Sequence, residues 1–192
     1  MHLLGEIWPP GLMPWAAVVL AAVVLAAAWA DLKYNRVPNW VTYPAILMGL
    51  AGHAAAGGIQ GGAADFGLTG AAAGFAVGFF PLLLCWLAGG IGGGDAKLMG
   101  AIGALGGWRL ALAAMMYGFI LAAVMALIVM VRQRVVRRTL GRIWTAMRLL
   151  LTPGARAADP SSADSPKIPF AVALCLGTLL ALAASGLPQL AI

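Results

Sequence analysis

The sequence predicts an all-α protein: a polytopic membrane helix bundle of about six transmembrane helices, with one basic amphipathic helix on its surface. Three observations carry that expectation. Of the 192 residues, 62% are hydrophobic and only 9% charged, and mean hydropathy reaches +0.95, beyond what soluble globular domains show. The apolar residues are gathered into long runs, most of them close to the ~20 residues a spanning helix needs. Between the runs, Lys and Arg are distributed unevenly, as they are in chains oriented by the positive-inside rule.

The runs lie at 14–30, 40–56, 67–88, 98–107, 110–131 and 168–190. The first ends Ala-Ala-Ala-Trp-Ala (26–30), small residues of the kind a signal peptidase accepts. The stretch before it, however, holds Glu6 and no Lys or Arg, so it reads as an uncleaved first helix. The fourth run is short and Gly-rich and is expected to pack inside the bundle, where neighbouring helices cover irregular backbone. After the fifth run, Val136, Leu140, Ile143, Trp144 and Met147 recur at helical spacing, with Arg134, Arg138 and Arg142 as a second stripe. That pattern describes a helix lying on the membrane surface. Residues 157–166 then read as a linker into the last helix. The whole chain, 1–192, is expected to be a single membrane-embedded domain, with 132–166 as its cytoplasmic basic helix and linker.

Charge sets the orientation. Lys33 and Arg36 follow the first run, Lys97 follows the third, and seven arginines from Arg132 to Arg156 follow the fifth. These loops should be cytoplasmic. The opposite set holds Glu6, Asp65 and Arg109. The net charge of +6 does not call for nucleic acid: seven of the twelve basic residues sit in one juxtamembrane segment, where anionic lipid is the natural partner. Cys85 and Cys175 lie in separate runs with no CxxC and read as small buried hydrophobes. His2 and His53 have no ligand-type neighbours at metal spacing, so neither a metal nor another cofactor is expected.

Two acids stand out. Asp31 closes the first apolar run, and Asp95 lies within Gly-Gly-Ile-Gly-Gly-Gly-Asp-Ala-Lys (89–97). A carboxylate at or near the bilayer is costly and is usually held for function. Taken alone, Asp31 is a polar helix end, and Asp95 is an N-cap paired with Lys97. Taken together, both fall on the face that the basic residues mark as cytoplasmic. Apart from Asp159 and Asp164 in the linker, they are the only acids in the joining segments there. Two carboxylates held close can share one proton, the ionised one activating water while the protonated one supports the attacked carbonyl. The glycines before Asp95 let a substrate strand approach the backbone. The chain has no Gly-x-Ser-x-Gly, His-Glu-x-x-His or Walker loop to suggest another chemistry.

These residues resemble the type IV prepilin peptidases, membrane aspartyl proteases with a Gly-x-Gly-Asp motif. Here that motif is Gly92-Gly93-Gly94-Asp95, continued by Ala96-Lys97-Leu98-Met99. The family's first motif, an Asp followed by a hydrophobic-Pro-Asn element, is matched by Asp31 with Val37-Pro38-Asn39. A weaker likeness is Lys167-Ile168-Pro169-Phe170-Ala171 at the start of the last run. The resemblance spans roughly 14–190. It implies that Asp31 and Asp95 are the catalytic pair, that Gly92, Gly94, Lys97, Pro38 and Asn39 support the site or its substrate, and that the substrate is a prepilin or pseudopilin. The leader would be cut at the cytoplasmic boundary of the inner membrane. Larger members also methylate the new N terminus and carry paired cysteines. With about 13 residues before the first run and no CxxC, this chain is expected to cleave without N-methylation, as in compact members serving tight-adherence (Flp-type) pili. The alternatives are an archaeal-type preflagellin peptidase, an ion-coupled carrier, and a non-catalytic assembly scaffold; inverted repeats, which a carrier would show, are not seen.

Overall fold

In a computed structural model of the chain, residues 14–59, 67–132 and 170–186 are described. Every element among them is an α-helix, in the order α1 (Pro14–Tyr34), α2 (Asn39–Gly57), α3 (Leu68–Leu87), α4 (Gly93–Arg132) and α5 (Phe170–Gly186). The all-α expectation holds for these residues. They fall into two compact units, one holding 14–59, 67–121 and 170–186, the other 122–132. The second is the end of α4, with Leu127 and Val131 exposed. The amphipathic helix and linker expected over 132–166 lie, except for Arg132 closing α4, outside the described residues.

In the first unit, α1 packs on α2 and α5, and α2 packs on α3. The first stretch of α4 is the centre: Leu98, Met99, Ile102 and Leu105 are completely buried. Small residues make this possible. A Cβ added to Gly74 of α3 would fall on the Gly103 carbonyl oxygen, and one added to Gly49 of α2 would come within 2.7 Å of the Ala104 carbonyl carbon. Small residues at such crossings let membrane helices approach backbone to backbone. The fourth run is therefore buried among its neighbours, as its glycine content predicts.

The expected boundary between the fourth and fifth runs appears as a break inside α4. Gly107 adopts φ 75° and ψ 172°, a region essentially reserved for glycine. Near this break, His53 of α2 meets the Leu105 carbonyl oxygen at 2.9 Å through Nε2 and packs against Trp15 of α1. A helix interruption frees carbonyls that must find other partners when buried, and the His53 contact meets one such need.

Among the described residues, three helices, Trp15–Tyr34, Leu68–Leu87 and Gly93–Arg132, are long and apolar enough to cross a membrane. Phe170–Ala184 is apolar but shorter. The difference from the expected six has local causes: the fourth and fifth runs join into α4, and α2 carries Asn39, Thr42 and His53 among its 19 residues. Large apolar side chains such as Val18, Leu47, Leu84 and Leu180 point outward, as a lipid-facing surface requires. Cys175 is buried as expected. Cys85 is exposed, because apolar character inside a bilayer marks lipid contact as readily as a core position.

Candidate active site

Asp31 sits in the last turn of α1 and is only 8% exposed. The helix ends just beyond it: Asn35 turns left-handed at φ 51°, and its N–H donates to the Asp31 carbonyl oxygen at 2.8 Å. Asparagine is among the few residues that adopt this conformation at little cost, and it closes helices in this way. The side chain of Asp31 is met from α5, where the Ala171 N–H donates to Oδ2 at 3.2 Å. First-turn N–H groups have no partner within their own helix. The carboxylate occupies one of them.

Asp95 lies in the first turn of α4 and is half-buried. Its own N–H donates to the Gly92 carbonyl oxygen at 3.1 Å. A Cβ on Gly92 would stand 3.0 Å from Asp95 Oδ2, so the missing side chain there is the space that the carboxylate uses. Asp31 and Asp95 are within electrostatic reach of each other.

The two sequence motifs meet beside the acids. A Cβ on Gly94 would lie 3.1 Å from the Cβ of Val37, so this glycine seats the α1–α2 connection on the start of α4. Pro38, extended at φ -75° and ψ 141°, is the residue from which α2 begins. One turn further along α4, the Lys97 ammonium donates to Asn39 Oδ1 at 3.0 Å and lies 5.1 Å from the centre of the Tyr43 ring. All seven residues singled out from the sequence, Asp31, Pro38, Asn39, Gly92, Gly94, Asp95 and Lys97, thus belong to α1, the α1–α2 corner and the start of α4. Lys97 and Asn39, which the resemblance gives as supports of the site or its substrate, hold each other. They tie one motif to the other.

Three contributors were not legible as such. The Ala171 N–H belongs to the weakest motif, and a main-chain donor leaves no trace in side-chain identity; the only hint is Pro169 shortly before a helical run. Val37 seats Gly94 through its backbone and Cβ, and Trp86 of α3 brings its indole nitrogen within 3.1 Å of where a Gly93 Cβ would be. Val37 was legible as the hydrophobic member of the Val-Pro-Asn element but not as the seat of Gly94, and Trp86 looks like an ordinary apolar residue in sequence.

Two carboxylates within electrostatic reach of each other can, when they approach closely, share one proton and polarise a water. A model of the type IV leader peptidase family matches residues 18–129, a span that includes both acids and both main motifs but stops short of α5. No curated protein and no solved structure matches the chain. The family match covers more than half of the sequence and includes both acids: the chain is a membrane protein that belongs to the type IV leader peptidase family.

Proposed function

We propose that this peptidase is an aspartyl endopeptidase of the inner (cytoplasmic) membrane, with Asp31 and Asp95 as its catalytic pair. Its substrate is a Flp-type prepilin or pseudopilin, from which it removes a short basic leader at the cytoplasmic boundary. The observation that carries this reading is the meeting of the two motifs: Gly94 seated on Val37 and Lys97 bonded to Asn39 draw together the segments that bear Asp31 and Asp95. The positions of Lys33, Arg36 and the arginines from Arg132 onward support a cytoplasmic site, and the six apolar runs support a six-span topology in which α4 crosses as two segments divided at Gly107. The basic stretch from Arg132 to Arg156 favours contact with anionic lipid. The whole chain serves as a single peptidase domain, with 132–166 as its cytoplasmic helix and linker.

The reaction needs one proton on the pair. The ionised carboxylate takes a proton from water as the water oxygen bonds to the scissile carbonyl carbon, and the protonated carboxyl donates to the carbonyl oxygen. Collapse of the tetrahedral intermediate breaks the C–N bond: one of its hydroxyls returns a proton to the carboxylate that had donated, and the proton gained from water passes from the other carboxyl to the leaving nitrogen, which restores the singly protonated pair. The glycines around Asp95 leave room for an extended peptide backbone over the pair. With only Cys85 and Cys175 and no CxxC, the product is left unmethylated.

Co-expression with a Flp-type prepilin, followed by mass spectrometry of the pilin N terminus, tests this reading. Wild type should yield a trimmed, unmethylated product, and Asp31→Asn and Asp95→Asn should leave the leader intact. Trimming that survives both substitutions would contradict the assignment of the pair. A methylated product made by this chain alone would contradict cleavage without methylation.

A further inference from the structure

Beside the site, at the corner between α1 and α2, lies a cavity of about 390 Å³ walled by Trp29, Tyr34, Arg36, Val37, Asn39 and Trp40. Its size falls within the roughly 300–1,000 Å³ of small-ligand pockets. The wall has one charge, that of Arg36, and no carboxylate. Its aromatic rings stand outward: Trp29 is 59% exposed and Trp40 73%. On the rim, the Lys33 ammonium lies 4.9 Å from the centre of the Trp29 ring and 5.2 Å from that of Tyr34, adding a second positive charge.

The position of this cavity decides among ligands. Tyr34 ends a helix long and apolar enough to cross a membrane, so the cavity opens at the level of the headgroups, where Trp and Tyr gather. A soluble anion would have no use for exposed indoles at that depth, whereas a phospholipid presents a phosphate to Arg36 and its glycerol and upper chains to the rings. A basic peptide is disfavoured by Arg36 and Lys33.

We propose that this corner is a seat for an anionic phospholipid headgroup, held by Arg36 and framed by Trp29, Tyr34 and Trp40. The bound lipid cancels positive charge next to the segment that Gly94 and Lys97 grip through Val37 and Asn39. This last consequence rests on the peptidase reading above: the lipid lets a basic leader come to a site whose own surroundings would repel it. Binding of the lipid is independent of that reading.

The test is native mass spectrometry of the full chain in detergent, titrated separately with phosphatidylglycerol and phosphatidylcholine. Asp31→Asn serves as a parallel background, so that lipid occupancy is read apart from catalysis. Wild type and Asp31→Asn should both favour phosphatidylglycerol. Arg36→Gln should weaken that preference about fivefold, the weight of one basic residue at an anionic surface, and Lys33→Gln added to it should weaken it further. Arg36 is exposed, so folding is retained, and Trp40→Ala supplies a second variant that should shorten lipid retention without changing charge. Equal binding of the two lipids by wild type, or an undiminished preference in Arg36→Gln, would overturn the proposal. So would displacement of phosphatidylglycerol by a basic leader peptide, which would make the cavity a substrate seat. Loss of prepilin cleavage in the Asp31 and Asp95 variants bears on the peptidase reading alone.

Discussion

Glycine serves opposite purposes in two regions of this molecule. Where α3 crosses α4, Gly74, Gly78 and Gly103 remove side chains so that backbone can lie directly on backbone, and a Cβ on any of the three would strike a facing carbonyl oxygen. At the start of α4, Gly92 removes a side chain so that the Asp95 carboxylate has room, and Gly94 does so to seat Val37. The seam is buried and its contacts are main chain on main chain. The corner is partly open, and besides the Val37 seat it carries polar bonds: Ala171 to Asp31, and Lys97 to Asn39. The comparison teaches that one residue type serves close helix packing in one place and makes room for a carboxylate in another, according to what faces it.

The comparison breaks if substitutions in the two regions have the same consequences. The largest effect should come from the acids: Asp31→Asn and Asp95→Asn should each lower cleavage by about 10²–10⁴-fold, the usual weight of a general acid or base, while thermal stability in detergent stays close to wild type. Next is the seam, where Gly103→Ala should destabilise by about 1–3 kcal/mol through overpacking. Its readout is the temperature at which buried Cys175 becomes reactive to a thiol dye, measured in a Cys85→Ser background because Cys85 is already exposed. Gly92→Ala sharpens the contrast, since its added Cβ meets a carboxylate oxygen rather than backbone. Activity should fall about tenfold, equivalent to ~1.4 kcal/mol in the barrier, with little change in the Cys175 transition. Smallest is Lys97→Met, which removes the bond to Asn39 in a partly solvated setting and should cost about twofold to threefold in activity.

The division between what could be read from sequence and what could not follows the same physics. Apolar runs and the glycine string announce helices and a tightly packed fourth segment, because burial in lipid and close helix approach both restrict composition. Asp31 and Asp95 were legible because a carboxylate is conspicuous in an apolar chain. Their supports were less so. The Ala171 N–H is a main-chain donor, the Val-Pro-Asn element does not reveal that Val37 seats Gly94, and the partnership of Lys97 with Asn39 depends on how the α1–α2 corner folds against α4. The number of spanning helices was also only partly legible, since hydropathy marks the ends of apolar runs but not whether a single glycine, here Gly107, divides one helix or separates two.

The most direct test of the central claim, that Asp31 and Asp95 act as one unit, is single-turnover cleavage of a prepilin by the purified chain carrying Asp31→Asn, Asp95→Asn and both substitutions. Residues acting as a unit are strongly non-additive in such a cycle. Each single variant should therefore lose nearly as much as the double. Losses that add, or a single variant that cleaves at close to the wild-type rate, would contradict a shared catalytic pair.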